Sequence, residues 1–172
     1  MTDYSAHAVL DVTDWIVAQA FASNVLNPAD YVLPDTTTLS PMVPIQQLPE
    51  TNNEIKAAGF MVYDMQPLRY PGGSGDFWTQ RESLTITCYS NNYMKSLTMQ
   101  SLLNDLLRRM DLTARDVNAA STSSGHNKFY MFELMGSLPP DPAMEENGRY
   151  GSSVIVEYEY SKTINDGGRF AF

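Results

Sequence analysis

Residues 81–110 change their hydrophobic period halfway along, and this change limits the possible folds more than any other feature of the chain. Leu84, Ile86 and Cys88 alternate with Thr85, Thr87 and Tyr89, the period of two expected of a strand with one buried face. The polar turn Ser90-Asn91-Asn92 follows, and beyond it Met99, Leu102, Leu103, Leu106 and Met110 recur at helical spacing. A strand over 77–90 and an amphipathic helix over 94–110 are predicted, the core of a small α+β domain.

The rest of the chain adds to this unit. Val9, Val12, Ile16 and Ala20 predict a first helix over 5–24, with Trp15 beside the stripe, Asp11, Asp14 and Gln19 mostly off it, and Asn27-Pro28 ending it. Pro28, Pro34, Pro41, Pro44 and Pro49 punctuate 27–53; proline lacks the amide donor and holds its predecessor extended, so an extended arm is expected there. Val32, Leu33, Met42, Val43, Ile45 and Leu48 make that arm too apolar to hang free, so it should pack on a neighbouring copy or wrap its own domain. Residues 55–66 read as a strand apolar on both faces, paired in a hairpin with 77–90 across the loop Pro71-Gly72-Gly73-Ser74-Gly75. A weak cap at Thr113 and Asp116 suggests a short helical turn, followed by a polar loop over 118–127. Strands are expected over 128–136 and 152–163, separated by a loop over 137–150 that contains Pro139, Pro140, Glu145 and Glu146. In the last strand Val154, Val156, Tyr158 and Tyr160 share one face, while Ile155, Glu157 and Glu159 share the other, a mostly solvated one. The expected fold is one α+β domain over 1–172, with a mostly antiparallel four-stranded sheet, helices on one face, and the order α-β-β-α-β-β.

Charge and cysteine usage narrow the function. The formal net charge of −9 opposes a phosphate-binding surface, because nucleic-acid affinity rests on Lys and Arg. It is compatible with a wall past which DNA slides without sticking. Charged residues make up only 18%, against ten tyrosines and ten methionines, which suits a surface made for protein contact. The single Cys88 rules out an intrachain disulfide and a thiolate metal cluster; on the face of Leu84 and Ile86 it reads as a small buried apolar residue. The N-terminus lacks the pattern of a secretory signal and no window is apolar for long enough to span a bilayer, so folding in a reducing cytoplasm is expected.

No residue pattern makes a catalytic constellation, and neither enzyme activity nor a metal or cofactor is expected. His7 and His126 stand alone, on a helix start and in a polar loop. Ser74 lies outside a G-x-S-x-G frame, and its glycines precede neither the Lys nor the helix of a phosphate loop. Glu157 and Glu159 sit about 7 Å apart by strand rise and could form an acid pair, but an alternating Glu-Tyr strand with one wet face explains them more simply. The hinge Gly167-Gly168 frees a tail, 164–172, whose Phe170 and Phe172 could seat in pockets as an added strand on a neighbour's sheet.

The helix with Trp15, the strand FMVYDMQPLRY, the unit RESLTITCYSNNYMKSLTMQSLLNDLLRR and the closing pair NKFYMFELMG and GSSVIVEYEYSKT, in this order, resemble the tail terminator and neck-completion (gateway) proteins of long-tailed bacteriophages over residues 5–163. The resemblance implies a structural virion protein forming a ring, usually a hexamer, at the head–tail junction. Such a ring is assembled in the host cytoplasm, ends growth of the tail tube or sheath, docks to the neck connector, and leaves a channel for DNA. On this reading the ring contacts are Gly72, Gly73, Phe77, Pro139, Pro140, Phe170 and Phe172, and the acids facing the lumen are Glu145, Glu146, Glu157 and Glu159. The alternatives are another virion part, such as a baseplate or head-completion subunit, or a small hydrolase using Glu157 and Glu159 or Ser74.

Overall fold

The computed structural model of the protein describes residues 7–47, 53–66, 79–120, 127–143 and 148–162. Within them the chain forms α1 (Ala8–Ala22), β1 (Met42–Pro44), α2 (Asn53–Ala58), β2 (Phe60–Met65), β3 (Thr79–Ser90), α3 (Tyr93–Leu107), α4 (Asp111–Ala120), β4 (Asn127–Leu138) and β5 (Tyr150–Lys162). The fold is α+β. Its strands make one sheet in the order β1-β2-β3-β5-β4, with β2/β3, β3/β5 and β4/β5 antiparallel. The expected four-stranded antiparallel sheet is therefore a five-stranded mixed one, because β1 joins it parallel to β2.

The strand-turn-helix unit forms as its periodicity predicts. Leu84, Ile86 and Cys88 are fully buried on one face of β3, beside Val154 and Val156 of β5. Ser90 and Asn92 build the turn: the Ser90 hydroxyl accepts from the Asn92 amide at 3.1 Å, and the Asn92 carboxamide accepts from Met94 and Lys95 at 2.9 and 3.3 Å. That is an N-cap, which satisfies amides the helix leaves unpaired. Ser96 lets α3 approach the sheet closely, its hydroxyl donating to the Cys88 carbonyl at 2.8 Å. Burial pushes the Cys88 thiol up to about 12, as befits an inert core residue.

Three local expectations are corrected. The helix predicted over 94–110 ends at Leu107, because Met110 turns left-handed at φ 53 and stands exposed. The Thr113 hydroxyl then donates to the Leu106 carbonyl at 2.5 Å, and the expected short turn is the helix α4, which takes in 118–120 of the expected polar loop; 121–126 lie outside the described residues. The strand predicted over 55–66 is α2 followed by β2, divided at Gly59, whose φ of 90 suits glycine and whose amide donates to the Ile55 carbonyl at 2.8 Å. Helices are not confined to one face. α1, α3 and α4 cover the face of Leu84 and Val156, whereas Ile55 of α2 packs on Phe60 and Val62, which point to the other side.

The proline-rich segment, over its described part 27–47, packs on its own domain. A 3-10 turn at Pro28–Tyr31, capped by the Asn27 side chain, leads through a bridge between Val32 and Thr38 into β1. Met42 is buried, the Met61 amide donates to the Pro41 carbonyl at 2.7 Å, and the Tyr31 hydroxyl donates to the Gly59 carbonyl. Proline is tolerated because β1 is an edge strand of three residues that ends on Pro44.

Candidate functional site

The acid pair lies on the sheet face opposite α3. Glu157 and Glu159 both reach Arg81 on the neighbouring strand, at 3.5 and 3.8 Å. Their side chains are 14% and 30% exposed, so the face is half-covered rather than fully wet. Glu133 of β4 stands directly across from Glu157 in the register. One guanidinium thus holds two carboxylates with a third beside them, a ladder that relieves cross-strand repulsion. Neither Glu157 nor Glu159 lines the cavity at the start of α1 or the one beside Ala29 and Ala58.

Of the predicted contact residues, Pro139 is exposed where β4 exits and Pro140 is buried beside it. Gly72, Gly73, Ser74, Phe77, Glu145, Glu146, His126, Phe170 and Phe172 lie outside the described residues. His7 is exposed just before α1 and makes no side-chain cap.

A surface the periodicity did not single out is the outer side of β4. This strand ends the sheet and has twelve residues. Its first part is covered: the Asn118 carboxamide of α4 exchanges two 2.8 Å hydrogen bonds with the backbone of Phe129, imitating a partner strand. Bulges follow at Phe129/Met131 and Leu134/Gly136, the usual devices that bend an edge away from neighbours. Past Phe129 the Gln100 carboxamide of α3 donates to the Leu138 carbonyl at 2.6 Å, while the side chains of Tyr130, Met135 and Leu138 are 45%, 52% and 65% exposed.

The second feature is a polar cluster inside the domain. Glu82, only 6% exposed, occupies the inward phase of β3 two residues before Leu84. The Tyr158 hydroxyl donates to its Oε2 at 2.5 Å and the Tyr160 hydroxyl to its Oε1 at 2.7 Å. Tyr160 also lies 2.9 Å from Oε1 of Gln80. Burial, then the adjacent Glu82 charge, raises the Tyr158 phenol well above its ordinary range. The cluster lines a cavity of about 500 Å³ between the start of α1 and the sheet, walled also by Leu10, Tyr63 and Met65. Asp11, expected off the apolar stripe, is buried and accepts at 2.9 Å from the carboxamide of Asn127, which lines the cavity. The signal was present in the sequence, since extending the inward alternation of β3 back by one step from Leu84 reaches Glu82.

Among the described residues no group of three or more His, Cys, Asp or Glu is placed to hold a metal ion, and no helix is long and apolar enough to cross a membrane. The chain matches no protein-family model and no curated protein.

Proposed function

We propose that this chain is a structural subunit that joins copies of itself into a ring, at the head–tail junction of a long-tailed bacteriophage, ending the tail tube or sheath and docking to the neck connector. The observation that carries the assembly part is the exposed apolar side chains of β4. Tyr130, Met135 and Leu138 present apolar surface along the strand that ends the sheet, which supports a contact with another molecule. A subunit meeting a different patch on the next copy forms a heterologous contact, which closes into a ring.

The remaining surfaces fit the same role. The sheet face carrying Glu133, Glu157 and Glu159 is the side we assign to the channel, where negative charge repels the DNA backbone. The net charge of −9 on each copy strengthens that repulsion as copies accumulate. The junction position, the hexamer, and the neck, tube and sheath partners rest on the resemblance of residues 5–163 in element order.

The test is native mass spectrometry and electron microscopy of the purified chain, alone and with virion partners. A closed ring is expected, alone at high concentration or on the partner complex. A chain that stays monomeric throughout, and that enters particles unchanged when Leu138 is replaced by Arg, would refute the reading.

A further inference from the structure

We infer that the cavity around Glu82 is a receptor for an organic cation, an ammonium or guanidinium group carried on an aliphatic stem. This inference is independent of the ring reading.

The argument begins with charge. A carboxylate at 6% exposure is costly unless it is paired. Among the described residues no Lys or Arg forms an ion pair with Glu82; its partners are the hydroxyls of Tyr158 and Tyr160. Two hydroxyl protons serve three acceptor oxygens, the two of Glu82 and Oε1 of Gln80. Both partners of Glu82 are uncharged hydroxyls, so its carboxylate lines the cavity without a cation from the described residues.

The walls select the kind of cation. A bare metal ion needs several oxygen or nitrogen ligands, and Glu82 belongs to no such group among the described residues. The walls instead combine the aromatic rings of Tyr63 and Tyr160 with the apolar side chains of Leu10 and Met65. Aromatic faces attract ammonium and guanidinium groups, and apolar walls take the methylene stem behind them. A volume of about 500 Å³ holds a side chain of lysine or arginine size, and lies within the range of small-molecule sites. The charged head would donate to Glu82 Oε1 and Gln80 Oε1, in charge-assisted hydrogen bonds.

The cation could be a basic side chain presented by a partner protein or a free polyamine, since both carry this head on this stem. Titration of the full chain with n-butylguanidinium, N-butylurea, spermidine and a doubly capped arginine, followed by NMR of the tyrosine rings at constant ionic strength, tests the inference. Saturable shifts at Tyr63 and Tyr160 with n-butylguanidinium are expected, with at least about tenfold weaker binding in Glu82→Gln, the size of a lost charged hydrogen bond. Equal binding of the uncharged N-butylurea, or unchanged affinity in a folded Glu82→Gln, overturns it. If Glu82→Gln does not fold, Leu10→Lys decides. A lysine tethered at the mouth should occupy the site, raise the melting temperature and exclude n-butylguanidinium; continued binding would overturn the inference. Tighter binding of capped arginine than of spermidine identifies a protein partner as the source, and the reverse order a free polyamine; failure of every cation to bind refutes the receptor.

Discussion

The Tyr31 hydroxyl donates to the backbone carbonyl of Gly59, tying the proline-rich segment to the junction of α2 and β2. Both residues are buried. Tyr31→Phe keeps the ring and removes the donor, leaving a buried carbonyl without it. A loss of about 1–3 kcal/mol is expected in urea unfolding. Hydrogen exchange should accelerate first at Met61, whose amide bonds to Pro41 in the tethered segment.

Gly59→Ala tests the same junction from the backbone. A methyl placed there would lie 2.9 Å from the end of the Met99 side chain, which is flexible and can move. The φ of 90 cannot relax so easily. Strain at the backbone dominates, and a cost of about 1–3 kcal/mol is expected from thermal or denaturant melts.

Arg81→Met removes the cation that bridges Glu157 and Glu159. A loss of about 0.5–1 kcal/mol at low salt is expected, because these side chains are partly solvated. The difference should shrink in high salt, which screens both the lost attraction and the remaining repulsion. An unchanged difference across the salt series would mean that Arg81 acts through packing of its stem.

Alkaline stability follows from groups that hold their protons in the fold. Burial raises the thiol of Cys88 from 9.0 to about 12 and raises the phenols of Tyr31, Tyr63 and Tyr158 above 10.0. The folded state binds these protons more tightly than the unfolded chain. Their contribution is therefore complete below pH 9.0 and is lost as pH rises toward about 12. Denaturant midpoints should fall over that window. In Cys88→Ala the decline should start nearer 10.0, where the tyrosines of the unfolded chain begin to ionise.

Leu138→Arg places a charge on the exposed end of β4, at a residue 65% exposed. The monomer should keep its stability within about 0.5 kcal/mol, as for most surface changes. Self-association measured by sedimentation should fall. Unaltered association would move the contact away from this edge.

The first turn of β4 shows how much of the interaction surface local patterning can reveal. The strand itself follows from the apolar run at 128–136, but its cover does not, since Asn118 and Phe129 meet only once α4 has folded back. The acid pair was legible as a shared face, because alternation places Glu157 and Glu159 together. Its neutralisation was not, because Arg81 is brought opposite by pairing of strands 76 residues apart in sequence.

What the sequence determined alone is local: the switch of period after Cys88, the polar turn at Ser90-Asn91-Asn92, the inward phase of Val154, Val156, Tyr158 and Tyr160, and the burial of the single thiol. Each depends on residues a few positions apart, where side-chain direction repeats with the backbone. The tertiary structure decided that Met42 pairs with Met61, that Ile55 lies in a helix on the far face, and that Glu82 meets two tyrosine hydroxyls beside a cavity. A three-residue strand and a six-residue helix are too short to display a period. They exist because a partner surface offsets the entropy of ordering them, and that surface is assembled only when distant segments meet.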